Sequence, residues 1–105
     1  MGRNFALRPS EDDGATVLWA SGELDLASIQ TVIDAVTDAI GVSKPVVVDV
    51  SALEFLDSSG IGALVKCRNE ALRSGCHFHV RGATGHVAQV LTVTGMLRPL
   101  ADPDA

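Results

Sequence analysis

The chain has 105 residues, 47% of them hydrophobic and 20% charged, which suits one globular domain with one core and no need of disulfides or metals. Its formal net charge of −5 sets the molecular field against phosphate backbones and anionic lipid, so direct binding of nucleic acid or of a membrane is disfavoured. Any influence on transcription then has to pass through another protein.

Only 4% of the residues are aromatic and there is no Tyr, so the core must be built from Val, Leu, Ile and Ala. No apolar run is long enough to span a bilayer and no signal-like segment opens the chain, so a reduced, cytoplasmic location is expected. In that compartment Cys67 and Cys76 read as small hydrophobes rather than as a redox pair. The Met-Gly start lacks the hydroxyl residue of a myristoylation signal, Ala6 standing in its place.

Residues 4–8 predict a first strand and 9–14, dense in turn formers, a hairpin into a second strand over 15–21 that Gly22 breaks. From 27 to 40 the residues Ile29, Val32, Ile33, Val36 and Ile40 recur at three-and-four spacing, the stripe of an amphipathic helix. Asp25 stands ahead of it as a candidate cap, and Gly41 closes it with a residue suited to left-handed geometry. The β-branched run 46–50 predicts the central strand, 51–57 a loop, and 59–73 a second helix with Ile61, Leu64, Val65 and Leu72 inward and Gly75 at its end. Residues 76–80 alternate as a strand and 84–94 form a third helix.

The expected fold class is therefore α/β: a single domain over 1–105, with about four strands in a mixed sheet and about three helices. Residues 98–105 are expected to be a short C-terminal tail, with Pro99 and the acidic run 101–105 leaving no room for a further helix.

The densest polar cluster is Asp57-Ser58-Ser59-Gly60, placed after the central strand where α/β folds gather functional groups and where a helix start favours an oxyanion. Two readings of the serines stay open at this level, a plain helix cap and an exposed phosphate acceptor. Gly60 and Gly62 fall in the first turn, where each costs up to about 1 kcal/mol against Ala. Either close helix–sheet packing or the approach of a partner to bare backbone would account for them.

The run Val46-Val47-Val48-Asp49-Val50-Ser51-Ala52-Leu53-Glu54-Phe55-Leu56-Asp57-Ser58-Ser59-Gly60-Ile61-Gly62 resembles the signature of the STAS family, in particular the bacterial anti-sigma-factor antagonists of the sporulation stage II AA type. Gly22-Glu23-Leu24-Asp25 and Thr94-Gly95-Met96-Leu97 resemble two further elements of that family, in the expected order. The resemblance implies a regulatory protein that is not an enzyme and has no cofactor. It implies that Ser58 is phosphorylated, with Ser59 the structural neighbour and cap, and that Asp25, Asp57, Ser59, Gly60, Ile61 and Gly62 meet the partner. The implied partners are an anti-sigma factor of the GHKL kinase type, bound when Ser58 is unmodified, and a PP2C-type phosphatase that reverses the modification. A ligand-sensing or scaffold module of the same family, without an anti-sigma partner, is the alternative.

Phosphorylation adds about −1.5 to −2 charges beside Asp57, so loss of binding by repulsion and steric blockage, with little refolding, is expected. Other chemistries find less support. A nucleophile elbow needs Gly two residues before its serine, where Leu56 stands. His77, His79 and His86 lack a fourth ligand at metal-site spacing, and Gly82-Ala83-Thr84-Gly85 lacks the lysine of a phosphate-binding loop.

Overall fold

A computed structural model describes residues 4–42 and 44–101. Four strands, β1 (Ala6–Asp12), β2 (Ala15–Leu24), β3 (Val46–Leu56) and β4 (Phe78–Arg81), lie side by side in that order. β1 and β2 form an antiparallel hairpin, while β2–β3 and β3–β4 pair in parallel. Helices α1 (Ile29–Ile40) and α2 (Ser58–Arg73) make the crossovers, and α3 (Gly85–Val93) and α4 (Leu97–Ala101) follow β4.

All four helices bury residues in one cluster with Leu18, Ala20, Val46, Val48, Val50, Phe78 and Val80. Because side chains alternate along a strand, Val17, Trp19, Val47, Asp49, His79 and Arg81 belong to the opposite face. Val17 and Val47 are buried there, outside the main cluster. The expected stripe of α1 holds, with Val32 and Val36 buried and Ile29, Ile33 and Ile40 packed partly against the core. In α2 the core position near the end belongs to Ala71, and Leu72 points outward. The inward line runs Leu64, Cys67, Ala71, and one residue further the helix has turned by about 100°.

The hairpin turn is shorter than the turn-former content suggested. β1 continues through Pro9, Ser10 and Glu11, and only Asp13 (φ 51°) and Gly14 (φ 77°) reverse the chain. Two left-handed residues in succession are the signature of a type I′ turn, and a sheet edge tolerates the proline because its missing N–H faces away from the ladder.

β2 and β3 both run past their expected ends. Gly22 does not end β2 but lets it continue with φ 85°, and a Cβ there would lie 2.1 Å from the Asn4 carbonyl oxygen. The expected loop 51–57 is mostly strand: the register resumes after irregularities at Ser21↔Ala52 and closes at Leu24↔Leu56, with Leu53 and Leu56 buried.

Two helix ends also differ. Gly41 is right-handed (φ −63°), so α1 stops without the left-handed cap its glycine suggested. Gly75 does take φ 71°, and Cys76 N–H donates to the Ala71 carbonyl at 2.8 Å, closing α2 in a Schellman arrangement.

The expectation that 98–105 is only a tail, with no room for a further helix, is corrected by α4. Pro99 falls in the first turn of this five-residue helix, where the backbone N–H has no intrahelical acceptor to lose. Leu100 is buried in the core and Arg68 donates to the Pro99 carbonyl at 3.0 Å. The described residues thus form four helices rather than about three, and residues 102–105 lie outside them.

Candidate functional site

The parallel register Leu24↔Leu56 brings the ends of β2 and β3 to one edge, so Asp25 and Asp57 leave neighbouring strands together. The Asp57 N–H donates to the Leu24 carbonyl at 3.4 Å, tying the two ends to each other. Asp57 is the N-cap of α2: its Oδ1 accepts from the Gly60 N–H at 3.0 Å and its carbonyl from the Ile61 N–H at 3.0 Å. The role of cap, expected for Ser59, therefore falls to Asp57. An extended residue (φ −110°, ψ −175°) is needed at that point and Ser59 is already helical.

Ser58 is the first helical residue and is exposed, while Ser59 is half-buried. The N–H groups of Ser58 and Ser59 have no intrahelical acceptor and face the helix mouth. One turn on, at the i+4 position that stacks above Ser58 on the same face, stands Gly62.

The two glycines separate cleanly. A Cβ at Gly60 would lie 2.6 Å from Leu56 Cδ1 and 2.7 Å from the Leu24 carbonyl oxygen, so Gly60 is there for helix–sheet packing. A Cβ at Gly62 would meet nothing within 4 Å. Of the residues the family resemblance implied for a partner, Gly60 and Ile61 are buried beneath the surface, and Ser58, Asp57, Ser59, Gly62 and Asp25 lie on or near it.

Asp25 caps a turn rather than α1 itself. Its Oδ1 accepts from the Ala27 N–H at 3.1 Å and from the Ser28 hydroxyl at 3.2 Å, and Ser28 is the residue from which α1 starts. A groove of about 530 Å³ beside this turn is lined by Asn4, Phe5, Glu23, Asp25, Ser28 and Thr31.

Three features escaped the sequence. Leu26, in the same turn, is 72% exposed. Phe55, expected in a loop, is 36% exposed and stacks on His86 of α3, ring centroids 5.2 Å apart and 9° from parallel. On the sheet face opposite the helices, Asp49 is only 6% exposed, accepts from Ser51 N–H (2.9 Å) and hydroxyl (2.6 Å), and pairs with Arg81 at 2.8 Å. Burial pushes the Asp49 carboxyl up, but the bonds from Ser51 and Arg81 outweigh it and hold it below the usual carboxylate range. Arg81 also lies over the Trp19 ring, 5.2 Å from its centroid. Asp49↔Arg81 are register partners, a contact that strand order had to be known to foresee.

The histidines do not converge: His79 sits half-buried on β4, its pKa lowered by burial and by Arg81, while His86 lies against Phe55. No group of three or more His, Cys, Asp or Glu among the described residues could hold a metal. Both cysteines are free, and burial pushes the Cys67 thiol up to about 11.

A family model described as "Mlab, STAS domain" matches residues 7–101. The chain belongs to the STAS domain family. Solved structures of other proteins superpose on the chain. An anti-sigma factor antagonist from Mycobacterium paratuberculosis is 25% identical with a TM-score of 0.81, over 94% of this chain and 84% of that one. A glutamate-for-serine variant of RsbS from Moorella thermoacetica is 29% identical with a TM-score of 0.72, over 90% and 83%. The Bacillus cell fate determinant SpoIIAA in its phosphorylated form shares the fold at 21% identity and a TM-score of 0.67, over 93% and 88%. A search of curated protein sequences finds no match. No helix among the described residues is long and apolar enough to cross a membrane.

Proposed function

We propose that this STAS domain is an anti-sigma-factor antagonist, a binding protein rather than an enzyme, whose association with its partner is switched by phosphorylation of Ser58. The observation that carries the reading is the contrast around Ser58. The hydroxyl-bearing residue is exposed at a helix mouth, its neighbour Asp57 is committed to the cap, and the next residue on its face is a glycine with open space above it. A glycine that costs helix stability and fills no packing need suits a surface where another chain must come close to the backbone.

In the unmodified state the protein binds an anti-sigma factor of the GHKL kinase type and so frees a sigma factor for transcription in the cytoplasm. That kinase phosphorylates Ser58 and a PP2C-type phosphatase removes the phosphate. The helix mouth accommodates the added charge locally, so the effect is confined to the interface. Similarity to an anti-sigma factor antagonist supports the antagonist reading over a ligand-sensing or scaffold role.

Incubation with purified anti-sigma kinases and ATP, followed by mass spectrometry, should place phosphate on Ser58 and not on Ser59. Ser58→Ala should co-purify a GHKL-type kinase and Ser58→Asp should not; equal recovery with both variants would sink the switch.

A further inference from the structure

The edge that carries Ser58 is built from residues 21–28 and 51–62, which together hold four carboxylates and neither lysine nor arginine. Two of these carboxylates are held by hydrogen bonds to nearby groups. Asp25 accepts from the Ala27 N–H and the Ser28 hydroxyl, and Asp57 accepts from the Gly60 N–H. Glu23 joins them, since Glu23↔Phe55 is the register pair next to Leu24↔Leu56.

Two apolar side chains stand at the same edge. Leu26 is 72% exposed in the turn after Asp25, and it is not among the residues packed on the core. Phe55 has one ring face stacked on His86 and stays 36% exposed. A lone exposed leucine means little. Here it shares an edge with pinned acids, a backed aromatic ring and the bare helix backbone at Gly62.

We infer that this edge docks a protein whose contact face is basic at its rim and apolar at its centre, with Leu26 and Phe55 entering that centre. The inference rests on the reading of Ser58 as the partner-facing residue and adds the chemistry of the partner. Charge selects the occupant. A second copy would set acid against acid on a molecule of net charge −5, and a nucleic acid would be repelled. A basic rim is attracted at long range and reads the pinned carboxylates at short range.

A basic partner also changes the balance expected for the phosphorylated state. Its rim draws the phosphate in rather than repelling it, so bulk and the desolvation of a doubly charged group between closing surfaces end the complex. The modification therefore acts chiefly on dissociation.

The test uses the purified anti-sigma factors of the same organism as probes, with association followed by stopped flow from about 50 to about 500 mM salt. The wild-type association rate should fall by about tenfold or more over that range. Glu23→Gln with Asp25→Asn, which keeps the acceptor oxygen for Ala27, should lower that rate and flatten its salt dependence. Leu26→Ala and Phe55→Ala should each speed dissociation by about tenfold, with unchanged circular dichroism.

Wild-type kinetics in all these variants, or no binding by any anti-sigma factor, would overturn the proposal. Loss of binding in Ser58→Asp alone leaves the switch standing and refutes this docking surface. Loss in the Leu26, Phe55 and carboxylate variants with Ser58→Asp unaffected supports the surface and refutes the switch.

Discussion

Gly60 and Gly62, two residues apart in one helical turn, have opposite reasons for being glycine. At Gly60 a methyl group would press into the Leu24 carbonyl and the Leu56 side chain, whereas at Gly62 it would stand in solvent. Gly60→Ala should therefore destabilise the fold by about 1–3 kcal/mol through overpacking against backbone that cannot retreat. Gly62→Ala should stabilise it by up to about 1 kcal/mol through helix propensity, while weakening partner binding. Urea unfolding followed by the fluorescence of the single tryptophan, Trp19, reads the two signs. Asp57→Ala removes the cap that the structure assigns to this residue and should cost about 1 kcal/mol, whereas Ser59→Ala should cost little. Equal losses in these two variants would return the cap to Ser59.

At the scale of elements, the extension of β2 and β3 beyond their expected ends is what assembles the site. The pairs Glu23↔Phe55 and Leu24↔Leu56 exist because the chain stays extended past Gly22 and through the stretch that composition marked as loop. The opposite face of the sheet is held by a polar contact across strands, Asp49 with Arg81 and Ser51. The folded Asp49 carboxyl lies below its ordinary value, so it binds protons less readily than in the unfolded chain. Its stabilisation is complete above the unfolded value of about 3.9 and is lost as pH falls through the lower folded value. Asp49→Asn should flatten the acid limb of the stability curve below about pH 4, leaving its shape near neutrality unchanged. Arg81→Leu should destabilise by about 1–3 kcal/mol near neutral pH, since a buried carboxylate loses its charged donor. Urea midpoints measured across that pH range check both, and an unaltered acid limb in Asp49→Asn would show that other carboxylates govern it.

For the whole molecule, the arrangement separates a packed core from a polar edge. One core ties the four described helices to the sheet, and the exposed Leu26 and Phe55 of the edge stay outside it. Phosphorylation of Ser58 should thus shift amide resonances in residues 23–28 and 54–62 and leave β1, β4 and the Trp19 fluorescence unchanged. Shifts spread across β4 or α4 would point to a global rearrangement instead. The far edge of the sheet is quiet for local reasons: Pro9 lies within β1 and Glu11 is paired to Lys44, both devices that discourage strand addition.

The sequence by itself determined the α/β alternation, the central β-branched strand, the two long helices and the place of the Asp57-Ser58 cluster at a helix start. These follow from periodicity and from turn and cap chemistry, which are local and survive without knowledge of neighbours. Only the tertiary structure decided that Asp57 and not Ser59 caps α2, that Gly60 packs while Gly62 stays bare, and that Pro99 sits inside a short fourth helix. It alone brought Asp25 beside Asp57, Phe55 against His86 and Asp49 onto Arg81. Each of these depends on strand register or on what lies across a gap from a backbone atom, distances between residues far apart in the chain that no local pattern encodes.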